Sequence, residues 1–455
     1  MVTQEVELPL LPTALLTRCA TNPFAFAFDG GGRASWTCGC AFLGFCPRAT
    51  LRVAASGEAL MRDGAEHRWH GDPFALLDRF CATWGAAPGG TTAAGAGAVV
   101  VALSYELRHW VERLPPPRDD HPSLPVLHAA FYDWLLSYSY DEQRYTLASE
   151  QCSQAEIQAI AAHLQALAAA PPGPGTVGGR RGHPRSNFRR EEYLAAVDAA
   201  RDYIAAGDVY QVNLAQQFST APSLAPAALF AALQREHPVP FGAYVDAGDC
   251  VLISNSPECF LTRSHHRVAT FPIKGTRGRG CDARGDQQLI AELLADPKER
   301  AEHVMIVDLE RNDLGRVCCT GSVHVDEFAR VHTFPSLHHL VSKVSGRLRP
   351  DVSLADILRA MFPGGSITGA PKIRAMEIID ELEPVRRGFY TGAIGFIGLG
   401  GRRCVLNLAI RTAVATPRCV TYHAGGGIVA DSNPAREYEE ALLKAQPFFA
   451  AVGAG

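Results

Sequence analysis

The sequence predicts an α+β protein built on large antiparallel sheets, and three observations lead there. Strand-like runs such as Cys250–Ser254, His266–Phe271, Cys404–Ile410 and Cys419–His423 are rich in β-branched and apolar residues. Helical stretches fall around 286–306, 353–361, 371–382 and 434–450. The two kinds come in runs, without the regular repeat of about 30 residues that marks a parallel α/β sheet.

Taken in chain order, the first informative segment is Pro23–Gly32, where Phe24, Phe26 and Phe28 are predicted to pack in a core rather than lie exposed. Cys38 and Cys40 are spaced like half a metal site, but no second pair exists. The thirteen cysteines are odd in number and scattered, which favours reduced, mostly buried thiols in a cytosolic protein. Residues 86–98 approach low complexity. Residues 166–187 are dense in Pro, Gly and Arg and read as a linker or exposed loop. They separate an N-terminal part, 1–165, from a larger C-terminal part, 188–455. The next helix is capped by Ser186 or Asn187 and ended by Gly207, with Tyr193, Val197, Ala200 and Ile204 on one face.

The chain has 455 residues, 47% hydrophobic and 20% charged, enough for one large core or two smaller ones. Its net charge of -4 argues against a nucleic-acid partner, which calls for a basic excess. An anionic small molecule stays open, because local fields matter more than the total. No apolar run approaches the roughly 18 residues that span a bilayer, and Met1–Glu7 lacks the basic start of a secretory signal. A soluble, cytoplasmic protein is expected.

Two nucleotide signatures fail. Gly364–Gly369 has P-loop glycine spacing but continues with Ala370 instead of lysine, and Gly278-Arg-Gly280 finds Ala283 where a third glycine is needed. Three features remain. Glu299 with Glu302, and Glu437 with Glu440, each stand i, i+3 on a helix; two facing pairs would suit Mg²⁺, a hard cation, whereas separate pairs would be solvated faces. Gly425-Gly426-Gly427 follows a strand and precedes a helix, either as a plain turn or as a place where backbone N–H groups meet an anion. Lys274, between a strand and Gly275, is a surface cation or, if desolvated, a nucleophile.

Several long motifs in one order then resemble the chorismate-utilising enzymes. They are Asp208–Leu214, Ser256–Phe260, Pro272–Arg277, Glu302–Arg316, Phe362–Lys372, Gly425–Ser432 and Glu437–Ala441, and the resemblance spans roughly residues 188–450. It implies two intertwined lobes of stacked antiparallel sheets. It implies a Mg²⁺ site made by Glu299, Glu302, Glu437 and Glu440. Tyr390, Arg411, Lys444 and the amides of Gly426 and Gly427 match positions that hold the pyruvyl carboxylate, Gly275 and Thr276 line the pocket, and His339 positions the ring.

Two positions select a branch. Water-using members carry a lysine base where this chain has Gln211. Anthranilate synthases carry alanine at Lys274, whereas component I of aminodeoxychorismate synthases typically carries lysine. The resemblance therefore implies amination of chorismate at C4 for p-aminobenzoate and folate synthesis, with Lys274 as nucleophile and Glu258 as general acid. No cysteine sits in a glutaminase elbow, so ammonia is expected from a separate glutamine amidotransferase subunit. The alternatives are anthranilate synthase component I and a non-catalytic glutaminase-binding subunit. The regulatory Leu-Glu-Ser triplet of anthranilate synthases has no counterpart in Pro23–Gly32.

Overall fold

In the computed structural model the chain is described over residues 1–32, 39–85, 96–116, 124–171, 175, 182–334 and 337–453. Cys38, residues 86–95, and residues 172–174 and 176–181 of the expected linker lie outside these. The described ends of that linker are structured. The helix Gln154–Ala169 runs into it, and Arg185–Ser186 pairs with Ser219 and Phe218.

Two twelve-stranded sheets form the body, and every strand pairing within them is antiparallel. In one, the order runs Val2–Val6, Arg144–Ser149, Trp134–Ser139, Cys40–Gly44, Phe26–Asp29, Phe241–Asp246, Val251–Ser256, Thr412–Ala415, Val420–Ile428, Gln211–Thr220, Arg185–Ser186. In the other, Ile273–Gly278, Leu337–Arg347, Arg267–Thr270, Cys259–Ser264, Arg403–Leu408 and Ala393–Gly398 lead into Ala98–Leu103, Leu127–Tyr132, Ala49–Val53, Glu58–Arg62 and Glu66–His70. Each sheet thus joins five strands from before residue 166 to strands from the C-terminal part.

Period-two patterning explains the stacking. Val100 and Ala102 face a cluster with Phe26, Phe28 and Leu252 of the other sheet, while Val99, Val101 and Leu103 face the helix Pro73–Trp84 side. Ala98–Leu103 is buried on both faces, which is why it reads as an unbroken apolar run. Phe26 and Phe28 are in this core as expected. All described cysteines are free thiols.

Local expectations need three corrections. The helix after the linker is Arg190–Ala205, and Glu192 rather than Ser186 or Asn187 closes its start by accepting from Arg189 N–H. The stretch 286–306 is two helices, Ala283–Ala295 and Pro297–Gly315, split where Asp296 caps the second ahead of Pro297. Gly425, Gly426 and Gly427 are neither turn nor loop, because the strand Val420–Ile428 runs straight through them. Among the described residues no helix is long and apolar enough to cross a membrane.

Candidate active site

The chain passes from one sheet to the other at Ser256–Cys259, and Glu258 sits in that crossing. It is 6% exposed, and its Oε1 accepts from the Ser366 hydroxyl at 2.8 Å. Burial outweighs that bond and lifts its pKa from 4.5 to about 7, so the carboxyl can hold a proton near neutrality. The Ser366 carbonyl accepts from Lys274 Nζ at 3.4 Å and from Asn213 Nδ2 at 3.1 Å. One serine therefore sits between the expected acid and the expected nucleophile. Gln211 is fully buried, donates to Asn213 Oδ1 at 3.1 Å and keeps an unpartnered Oε1.

Lys274 lies in the strand Ile273–Gly278, not before a turn. The register against Leu337–Arg347 slips between Lys274 and Thr276, where Gly275 takes φ +77°. Such a bulge re-aims the flanking side chains. Burial lowers the Lys274 pKa despite the nearby charges of Glu302 and Glu258, the condition for a nucleophilic amine. Thr276 Oγ1 meets His339 Nδ1 at 2.9 Å. Burial, then the charge of Arg411, takes His339 down to about 4, so it is neutral and suited to positioning.

The two carboxylate pairs stand on the helices Pro297–Gly315 and Pro434–Ala451. They sense one another: burial lifts Glu302 and Glu437 above the ordinary value and neighbouring carboxylates add to it, while nearby lysines, with the Ser432 hydroxyl at Glu437, oppose the rise. Glu440 is lowered, first by Lys444 at 2.7 Å. Glu299 pairs with Arg277 at 3.1 Å, and Lys298 lies 3.9 Å from Glu302. Among the described residues no three acidic, histidine or cysteine side chains already form a metal cage. The donor chemistry still fits a hard cation, since partly buried carboxylates from two helices share one field.

The glycine strand lies against the second of these pairs. A Cβ on Gly426 would stand 3.5 Å from both Glu437 Oε2 and Glu440 Oε1, whereas one on Gly425 would collide with Leu214 O at 2.0 Å. Asn213 N–H bonds Thr368 O and Ala215 N–H bonds Glu383, so strand alternation turns Leu214 toward its partner Gly426. By the same alternation the Gly427 N–H points away from Gln211–Thr220.

Arg411 is the residue expected on the anion side. It is half-buried with φ +50°, and its guanidinium makes no hydrogen bond or ion pair among the described residues. Tyr390 stacks on His423 at 4.9 Å. Lys444 is engaged by Glu440 and by Gly425 O at 3.0 Å. The fold thus brings the predicted residues of both poles into one neighbourhood. Sequence reasoning gave no role to Ser366, Asn213 or Glu310, although all three lie inside the quoted motifs.

The family model described as chorismate binding enzyme matches residues 28–450. Anthranilate synthase component 1 of Thermus thermophilus is 42% identical over 358 residues, 78% of this chain and 77% of that protein. Aminodeoxychorismate synthase component 1 of Bacillus subtilis is 38% identical over 360 residues, 77% of this chain and 75% of its own. Among solved structures, anthranilate synthase component I from Streptococcus pneumoniae aligns with TM-score 0.79 at 28% identity, covering 91% of this chain and 92% of that one. Whole-chain similarity does not separate the two names, so the choice falls to single residues.

Proposed function

This chain belongs to the chorismate-binding enzyme family, and from that premise we propose that it aminates chorismate at C4 as component I of an aminodeoxychorismate synthase in the cytoplasm. The observation that carries the reading is Lys274, desolvated and held with Glu258 on the two ends of Ser366. Its neutral amine forms a bond to C2 while both double bonds of the ring diene shift and the C4–O bond breaks. Glu258 gives its proton to the departing hydroxyl, which leaves as water. Ammonia then bonds to C4, both double bonds shift back, and the C2–N bond breaks to release the Lys274 amine. The enolpyruvyl group stays in place.

Arg411, with Tyr390, Lys444 and the Gly427 amide, would receive the pyruvyl carboxylate; a guanidinium with all its donors free suits a bidentate partner. Glu299, Glu302, Glu437 and Glu440 would hold Mg²⁺, which when bound offsets the charge of the ring carboxylate. Gln211, a carboxamide, does not supply the base that a water nucleophile needs. Ammonia would come from a separate glutamine amidotransferase, with free ammonia as a substitute. The Thermus relative favours a second reading, anthranilate synthase, in which ammonia attacks C2 and pyruvate leaves.

Purified protein, chorismate, Mg²⁺ and ammonium decide between them by product mass and fluorescence. A pyruvate-retaining product that a lyase converts to p-aminobenzoate is expected. Anthranilate would overturn the C4 assignment, and unconsumed chorismate would overturn both readings.

A further inference from the structure

Behind the Gly364–Thr368 turn lies a carboxyl group that the reaction just described does not use. Glu310, on the helix Pro297–Gly315, is 2% exposed. Its Oε1 accepts from Gly365 N–H at 3.0 Å, and its Oε2 is buried with no hydrogen-bond partner. Burial, then the charge of Asp313, lifts its pKa to about 7. A carboxyl buried for one backbone bond is a poor way to gain stability, since an apolar side chain of similar volume is often neutral or better.

What the bond does fix is the next residue. Gly364 and Gly365 give this turn little side-chain anchorage of their own, and glycine leaves the backbone its widest range. Ser366 follows directly, donating to Glu258 at 2.8 Å and accepting from Lys274 at 3.4 Å. One residue further, Arg387 bonds Ile367 O at 3.0 Å. Lys372 pairs at 2.5 Å with Asp313, which follows Glu310 on the same helix. The Gly365 N–H itself is held by Glu310.

We infer that Glu310 is a positioning residue, which pins Gly365 so that Ser366 holds the Glu258 carboxyl and the Lys274 amine in one fixed relation. The inference rests on the proposed roles of Glu258 and Lys274, but not on whether the nitrogen ends at C4 or C2.

The test follows chorismate consumption with Mg²⁺ and ammonium in wild type, E310Q, E310M, S366A and the double variant E310M/S366A. The carboxamide oxygen of E310Q can still accept from Gly365, so its kcat is expected within about threefold of wild type. E310M keeps the volume and loses the acceptor. It should lower kcat about 10- to 100-fold while KM for chorismate moves less than about threefold, the pattern of an interaction realised in the transition state. S366A deletes the hydroxyl bond to Glu258 but keeps the carbonyl that Lys274 meets. In that background E310M should therefore cost clearly less than it does in wild type, because part of its effect runs through the missing hydroxyl. A general structural defect would neither spare E310Q nor shrink in S366A. Wild-type kcat in E310M, equal damage in E310Q, or a full additive cost in the double variant would each overturn the inference. Thermal melting reports folding, and E310L replaces E310M if the latter does not fold. An inert wild type would count against the proposed function; an active one with unaffected E310M counts against this inference alone.

Discussion

Two arginines at the ends of neighbouring segments differ only in what surrounds them. Arg387 is 3% exposed and saturated. It meets Glu383 at 2.6 and 2.9 Å, Ile367 O at 3.0 Å and Asn213 O at 3.1 Å, with Tyr105 under its plane at 4.9 Å. Arg411 is half-buried and has none of these partners among the described residues. Glu383 and Glu258 repeat the contrast, the first clamped by Arg387 and Ala215 N–H, the second holding one hydroxyl. Paired charges buy the architecture, and charges kept short of partners are left for chemistry.

The contrast breaks most visibly at Lys274. Lys274→Ala should lower C4 amination by about three orders of magnitude or more while the melting temperature stays near wild type, since removing a nucleophile removes the covalent route. Unchanged amination would end its covalent role. Arg387→Ala should do the reverse. Leaving Glu383 buried and unpaired costs about 3–5 kcal/mol, to be read as a fall in melting temperature before any kinetic effect; a stable variant with altered product would dissolve the distinction.

Glu258 sharpens the comparison through pH. Its folded pKa is raised from 4.5 to about 7, so ionisation is harder in the native state. The native state is therefore undisturbed below pH ~4.5 and loses stability as pH rises through ~7. Glu258→Gln cannot ionise, so its stability relative to wild type should climb by a few kcal/mol across that interval and then level off. A flat difference in unfolding midpoints from pH 5 to 8 would mean that the carboxyl is not desolvated. The smallest effect is expected at Arg411→Gln, where losing a free guanidinium should raise KM for chorismate by about 30-fold, some 2 kcal/mol. Melting should not fall, in contrast to Arg387.

How much was legible depends on how local the information is. Val251–Ser256, Arg403–Leu408 and the helix Lys372–Leu382 follow from patterning within a few residues. The break at Asp296–Pro297 was signalled but outvoted by helical periodicity on both sides. The glycine run left a turn and an anion-binding stretch both open, because glycine suits either; here Gly425 lets two strands approach, which only the partner strand reveals. The carboxylate pairs announced themselves by spacing. Ser366 did not, because its role comes from groups 92 and 108 residues away in sequence. The N-terminal part gave least, since its short strands are defined by their pairing, and two of them, Phe26–Asp29 and Ala98–Leu103, pair with distant segments of the C-terminal part.

The interleaving of the sheets has a consequence for how the molecule comes into being. Val420–Ile428 occupies the interior of its sheet, between Thr412–Ala415 and Gln211–Thr220, although it comes after every other strand of that sheet in chain order. Until it arrives, Gln211–Thr220 has an open flank, and Phe26–Asp29 and Ala98–Leu103 likewise wait for Phe241–Asp246 and Ala393–Gly398, which come much later in the chain. Contacts of such long sequence separation make folding slow, and unpaired edges exposed meanwhile invite aggregation. Neither half is a natural unit for separate expression, and the nascent chain has good reason to meet a chaperone before it meets a substrate.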